Sequence, residues 1–177
     1  MNQIVLYILL FCVIMIVLYA WAKVTRRPFP GWIAKIYVLG VLFCWLTWES
    51  WMSFGWVDGD SSQERGAKSS SNLRNSWEMA LGDGWLCVAQ VGIAYLLYGK
   101  EGFTKWNWKV FSVMFAFGFL QNVVATIMLR KQLKSKDIAW APLMPVKANS
   151  YIQVQEAWII QPFVFYGILI GMNKLIF

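Results

Sequence analysis

The chain alternates between long apolar stretches and shorter polar segments. The apolar stretches run roughly over residues 3–22, 32–54, 79–98, 108–129 and 157–176. An α-helix rises 1.5 Å per residue, so about 20 apolar residues cross the roughly 30 Å hydrocarbon core of a bilayer. The pattern predicts an all-α fold, an integral membrane bundle of five transmembrane helices that forms a single domain over residues 1–177.

Polar side chains near the predicted spans gather on one side of the membrane. Helices that cross in alternating directions place the end of the second, the start of the third, the end of the fourth and the start of the fifth on one face. The main polar residues of these segments are Glu49, Asp83, Gln121, Asn122, Glu156 and Gln161. Of the 9 acidic residues, only Glu101 falls on the other side. We call this face the acid-rich side and predict that the functional site lies there.

Composition and charge support a membrane location. Hydrophobic residues make up 59% of the chain and charged residues 14%, which is an apolar balance for one compact unit. The formal net charge of +7 is explained by basic loops that face anionic lipid, so no nucleic-acid partner is predicted. The predicted partners are membrane lipid and a lipophilic small molecule, and the sequence leaves a protein partner open.

The two longer polar segments, residues 55–78 and 130–156, both fall on the acid-rich side. Each is predicted to be a loop, because neither shows apolar periodicity. They either cover the site together or are two surface loops, and the sequence leaves both interpretations open.

The first apolar stretch is predicted to be a retained helix rather than a signal peptide. It lacks a basic leading segment and a small-residue cleavage site, and Lys23, Arg26 and Arg27 follow it directly. Basic residues near the spans divide evenly between the two sides, so only the residues that flank the first helix indicate an orientation by the positive-inside rule. The result predicts a multi-pass protein with a non-cytoplasmic N-terminus and a cytoplasmic C-terminus.

Several kinds of chemistry are excluded by residue content. The chain has no histidine, which removes histidine-ligated zinc, iron and haem sites and Ser-His-Asp catalysis. Cys12, Cys44 and Cys87 stand alone in apolar stretches without metal-cage spacing, and we interpret them as small buried hydrophobes. No glycine-rich phosphate loop is present either. We predict no metal and no cofactor.

Carboxyl groups within the spans are the first candidates for function. An ionisable group at mid-depth costs about 2.5–3.5 kcal/mol on insertion scales, so it usually faces the interior of a bundle. Glu49 lies about one turn from the end of its helix. It is either a protonatable group in a pocket or an interfacial anchor. Asp83 and Gln90 are seven residues apart and share a helix face, with Gln90 near mid-membrane.

Amides deeper in the bundle are the second group. Gln121 and Asn122 sit deep enough that at least one of them needs an interhelical partner, and they either fasten helices or contact a ligand. Glu156 and Gln161 lie at the start of the fifth span. Pro162 follows Gln161 and removes one backbone hydrogen bond, which predicts a kink that either shapes a pocket or merely bends the helix.

Tryptophans crowd the acid-rich side. Trp45, Trp48 and Trp51 extend over almost a full turn around Glu49, so some of them point inward, and we predict that they line the cavity. Trp45 precedes Glu49 by four residues, which places both on one face of an α-helix. Carboxylates beside indole faces suit the binding of a lipophilic amine, or the stabilisation of a carbocation after proton transfer to an alkene.

Two segments resemble the emopamil-binding protein family and the wider EXPERA superfamily. They are Trp45-Leu-Thr-Trp-Glu49-Ser-Trp51 and Trp77-Glu78-Met-Ala-Leu-Gly82-Asp83. The resemblance implies a five-helix bundle with a lipophilic pocket, in a family whose best-known members isomerise sterols by protonation and deprotonation. Trp45 stands where that family has a histidine. Gln90 is the residue nearest to the position at which the family has an acid in its third helix.

Two functional hypotheses follow. The first is an isomerase or cyclase that acts on an isoprenoid or sterol-like substrate by acid–base chemistry. Glu49 is then the proton donor or cation stabiliser and Asp83 a second acid, while Asn122 and Gln90 orient the substrate. The alternative is a non-enzymatic membrane subunit or lipid-binding protein whose polar groups fasten helices or dock a partner. Transport is disfavoured because the chain shows no internal repeat.

Overall fold

The computed structural model describes residues 3–49, 69–133 and 150–177, and every element within these ranges is helical. The prediction of an all-α fold is confirmed. Six α-helices, a π-helical turn and a 3₁₀ turn make up this part of the chain: α1 (Gln3–Thr25), α2 (Trp32–Cys44), the π-helix (Trp45–Glu49), α3 (Ser69–Tyr98), the 3₁₀ turn (Lys100–Phe103), α4 (Trp108–Leu133), α5 (Ser150–Gly171) and α6 (Asn173–Ile176).

The helices extend beyond the apolar stretches that predicted them. Residues 69–78 belong to α3, although the polar run was predicted to be a loop. In the same way α4 continues to Leu133 and α5 begins at Ser150, inside the second predicted loop. Apolar periodicity marks only the buried or lipid-facing part of a helix. Polar residues then prolong the helix at little cost in helix propensity.

Two helical segments in the described part of the chain are long and apolar enough to cross a membrane. They are Val5–Thr25, with a mean hydropathy of 2.7, and Ser76–Tyr98, with a mean hydropathy of 1.4. The segments Trp32–Thr47, Trp108–Gln121 and Ile160–Gly171 are also apolar, but they are shorter. These findings give weak support to a membrane location.

Helices α2 and α3 pack closely together, and glycines make the approach possible. A Cβ atom at Gly40 would lie 2.7 Å from the Cβ of Cys87, and one at Gly84 would lie 2.5 Å from Cγ2 of Val41. Small residues at a helix interface let the backbones come together and gain van der Waals contact, as is typical of helix pairs in membranes. Gly40 and Gly84 therefore fix how α3 lies against α2.

Helix α1 lies at the periphery. Only 6% of its apolar window is buried. It rests on α3, where the Tyr7 hydroxyl lies close to Gly82, and it reaches α2 by stacking Phe11 on Tyr37 with ring centroids 4.7 Å apart.

The connection between α3 and α4 is tied to α5. Gly99 ends α3 with a φ of +63°, a conformation that glycine adopts without strain. The Tyr166 hydroxyl donates to the Gly102 carbonyl at 2.6 Å and accepts from the Asn107 backbone N–H at 3.1 Å. Asn107 also caps α4, since its Oδ1 accepts from the Lys109 N–H at 3.0 Å.

The end of α2 widens into the π-helix Trp45–Glu49. The Thr47 hydroxyl donates to the Phe43 carbonyl at 2.7 Å, an extra side-chain bond within the same turn. Our prediction that Trp45 and Glu49 share a face assumed α-helical spacing. The hydrogen bonds of a π-helix join residues five apart instead of four, and the Glu49 side chain lies outside the described part of the structure, so the shared face of Trp45 and Glu49 stays a prediction.

Candidate functional site

A small polar cavity lies where four helices meet. Its volume is about 10 Å³, at the threshold for holding one water molecule. Helices α2, α3, α4 and α5 all contribute to its lining, which consists of Cys44, Asp83, Leu86, Cys87, Gln90, Gln121 and Gln161. We call this place the amide cavity.

Helix α3 supplies most of the lining, because several of its residues are spaced so that they lie on one face. Asp83, Cys87 and Gln90 stand at positions i, i+4 and i+7, which form one stripe on an α-helix. The structure thus places Asp83 and Gln90 on the same face, as their seven-residue separation predicted. Cys87 lies between them and is only 2% exposed.

The amides form a short chain of hydrogen bonds across three helices. Gln90 on α3 donates through Nε2 to the Met114 carbonyl of α4 at 2.8 Å. Gln161 on α5 donates through Nε2 to Oε1 of Gln90 at 3.5 Å, and to the Cys87 sulfur at 3.8 Å. The first bond has good length, and the other two are at the long end of the range. Interhelical bonds of this kind contribute about 0.6 kcal/mol on average in a membrane protein.

Because these amides are buried, their hydrogen bonds matter for stability. Gln90 is 2% exposed and Gln161 is 5% exposed. A buried amide without a partner costs about 1–3 kcal/mol, so the two glutamines hold each other and the Met114 carbonyl in place.

Asp83 brings a carboxyl group to this surrounding of amides and thiols. It is half-buried on α3 and, among the described lining residues, it is the one acid. Its neighbours along the cavity wall are groups that can donate a proton or a hydrogen bond: the Gln161 and Gln121 amides and the Cys44 and Cys87 thiols. A carboxylate in this position can accept a hydrogen bond from a ligand or exchange a proton with it.

Trp45 is not among the residues that line the amide cavity. Its ring stacks on Trp77 of α3, with centroids 4.5 Å apart and an angle of 14° between the planes. Its indole N–H donates to the Ser76 hydroxyl at 3.2 Å, and Ser76 is fully buried. In the structure Trp45 joins the π-helix to the start of α3, which is a packing role.

The other predicted site residues lie wholly or partly outside the described part of the structure. Trp51 lies outside the described residues. The backbones of Trp48, Glu49, Asn122 and Glu156 lie in the π-helix, α4 and α5, but their side chains are outside the described part of the structure. A meeting of Glu49 with Asp83 therefore stays a prediction.

Four of the lining residues were not among the predicted site residues: Cys44, Leu86, Cys87 and Gln121. Cys12, Cys44 and Cys87 were all interpreted as small buried hydrophobes; Cys44 and Cys87 are buried, with 1% and 2% exposure, whereas Cys12 is exposed. Gln121 was predicted, together with Asn122, either to fasten helices or to contact a ligand. The sequence alone could have assigned Cys87 to the site, because it lies between Asp83 and Gln90 on the same face of α3. Cys44 offered no comparable signal, since its position depends on how α2 packs against α3.

Within the described ranges, no group of three or more Cys, Asp or Glu side chains is arranged to hold a metal ion. Comparisons with known protein families, with curated proteins and with solved structures find no match to this chain.

Proposed function

We propose that the chain is a multi-pass integral membrane protein with the five spans that its hydropathy predicts. The distribution of residues in the described helices supports this placement. Large apolar side chains face outward on every long helix, including Ile16 of α1, Leu96 of α3 and Leu120 of α4, which are 66%, 85% and 64% exposed. Polar Gln90 and Gln161 lie inside. A chain with lipid as its solvent has this arrangement, since lipid covers apolar faces and the interior satisfies polar groups.

The proposed activity is the binding of a lipophilic small molecule through a polar group that enters the amide cavity. The observation that carries it is that Asp83 lines the same cavity as the Gln90 and Gln161 amides, which bond to each other. A volume of about 10 Å³ admits one hydroxyl or amine. The hydrocarbon body of the ligand would then extend from the cavity past Asp83, toward the acid-rich side.

The proposed reaction is the shift of a double bond or a ring closure in an isoprenoid or sterol-like substrate. Glu49 would transfer a proton to one alkene carbon and leave a carbocation on the other. The Asp83 carboxylate would then remove a proton from a neighbouring carbon, so that the double bond re-forms one position away and no net proton is consumed. The resemblance of the segments around Glu49 and Asp83 to EXPERA proteins supports this chemistry.

A second candidate function is non-enzymatic, and a specific observation favours it. The Gln90 and Gln161 amides already bond to each other and to the Met114 carbonyl, across α3, α4 and α5. Polar groups engaged in this way fasten helices without a ligand. In that case the protein is a small membrane subunit or a lipid-binding protein.

The deciding experiment compares co-purifying lipids by mass spectrometry in wild type, Asp83→Asn and Glu49→Gln. Glu101→Gln is the matched control, because Glu101 is exposed in the 3₁₀ turn after α3 and does not line the amide cavity. A single isoprenoid or sterol-like species that is retained by wild type and the control, and altered or lost in the two site variants, supports the ligand site. Bulk phospholipid in all four samples, with lower thermal stability in Asp83→Asn, supports the fastening role instead.

A further inference from the structure

A second concavity lies at the other end of the molecule, on the outside of the bundle. It is an open groove of about 580 Å³ between α2 and the C-terminal helix α6. Its walls are Ala34, Lys35, Val38, Leu39 and Leu42 of α2, together with Met172, Leu175 and Ile176. We call it the α2–α6 groove.

The groove is apolar along its length and cationic at one end. Lys35, Val38, Leu39 and Leu42 follow the spacing i, i+3, i+4 and i+7, so they form one face of α2. From Lys35 to Leu42 this face is about 10 Å long at 1.5 Å per residue. Among the described lining residues, Lys35 is the one charged group, and it lies in the first turn of α2.

The ammonium group of Lys35 is held at the groove by the C-terminal helix. Its Nζ donates to the Leu175 carbonyl at 2.7 Å and to the Ile176 carbonyl at 3.2 Å. An ammonium group has three N–H donors, so one donor and the positive charge are available to an anion. The start of α2 has no side-chain cap, which adds the positive end of its helix dipole to the same region.

We propose that the α2–α6 groove binds one anionic membrane lipid, with an acyl chain along Val38, Leu39 and Leu42 and the phosphate beside Lys35. An apolar trough of about two helical turns that ends in a fixed ammonium group matches a molecule with a hydrocarbon chain and a negative headgroup. The predicted orientation places this end in the cytoplasmic leaflet, where anionic lipids concentrate. This inference goes beyond the amide cavity, which lies elsewhere in the bundle and takes a different ligand.

Native mass spectrometry tests the proposal on the full chain in mild detergent. The protein is incubated with equal amounts of dioleoylphosphatidylglycerol and dioleoylphosphatidylcholine, which differ in headgroup charge and share their acyl chains. Wild type is expected to retain one phosphatidylglycerol with a preference of about fivefold, the effect of one lysine near a membrane surface. Lys35→Gln should lose that preference, while Lys35→Arg should keep it.

A second pair of variants tests the groove itself without touching Lys35. Val38→Trp fills the groove from a position that is 53% exposed, and should lose the bound lipid. Leu97→Trp places the same ring at another outward apolar position, 61% exposed on α3, and should retain the lipid. Lys100→Gln, which removes an exposed lysine that does not line the groove, should behave as wild type.

Two results would overturn the inference: equal retention of both lipids by wild type, or the same retention by Val38→Trp and Leu97→Trp. The outcome is separable from that of the amide cavity. Asp83→Asn should leave phosphatidylglycerol binding unchanged, and extraction of membranes with alkaline carbonate reports independently whether the protein is inserted.

Discussion

Gly84 on α3 faces Val41 on α2 with no space between them for a side chain. A Cβ atom at position 84 would lie 2.5 Å from Cγ2 of Val41 and 3.1 Å from the Tyr37 ring. The branched Val41 side chain cannot swing away as a long flexible chain would, so the two helices would have to separate. The amide cavity depends on this contact, because Asp83 and Cys87 flank Gly84 on the same helix.

Gly84→Ala is expected to destabilise the protein by about 1–3 kcal/mol, the usual cost of overpacking a well-filled interior. Thermal unfolding in detergent measures the change. Gly167→Ala is the matched control, since a Cβ atom there meets nothing within 4 Å. The control should be neutral or slightly stabilising, because alanine favours the helix. Equal stability of the two variants would show that α2 and α3 do not pack through Gly84.

The hydrogen bond between Gln161 and Gln90 predicts non-additive effects of substitution. Gln90→Leu removes the donor to the Met114 carbonyl and the acceptor of Gln161, so it should cost more stability than Gln161→Leu. The double variant should cost less than the sum of the two, because each single change leaves a buried polar group without its partner. A double-mutant cycle on thermal stability measures this coupling. Strict additivity would contradict a direct contact between the two amides.

The hydroxyl group of Tyr166 is expected to contribute to the stability of the fold. Tyr166→Phe keeps the ring in the core and removes the donor to the Gly102 carbonyl and the acceptor of the Asn107 N–H. The expected loss of stability is about 1–3 kcal/mol, because those backbone groups lose a partner in a buried place. Tyr98→Phe, at a half-buried position on α3, serves as the control and should change little. Chemical denaturation in detergent followed by tryptophan fluorescence compares the two.

The five-span topology makes a separate prediction about sidedness. Single cysteines placed at Thr104 and at Arg26, in a background without Cys12, Cys44 and Cys87, should both react with an impermeant maleimide from the cytoplasmic side. A cysteine at Ser62, in the segment after the second predicted span, should react only from the opposite side. Labelling of intact and opened cells measures this. Reaction of all three from one side would rule out the alternating arrangement.

The sequence by itself determined the helical architecture and the stripe on α3. Long apolar stretches separated by polar segments permit little besides helices, because a chain in lipid must satisfy its backbone hydrogen bonds internally. The same periodicity placed Asp83 and Gln90 on one face, since residues seven apart align on an α-helix whatever surrounds them.

Only the tertiary structure decided which groups meet across helices. Trp45 of the π-helix stacks on Trp77 and donates to Ser76, and both of these residues belong to α3. Cys44 came to the amide cavity because Gly40 lets α2 approach Cys87 closely. Lys35 met the carbonyls of Leu175 and Ile176, some 140 residues further along the chain. Such contacts depend on how side chains of different helices fit together in space, and periodicity along a single helix carries no information about that fit.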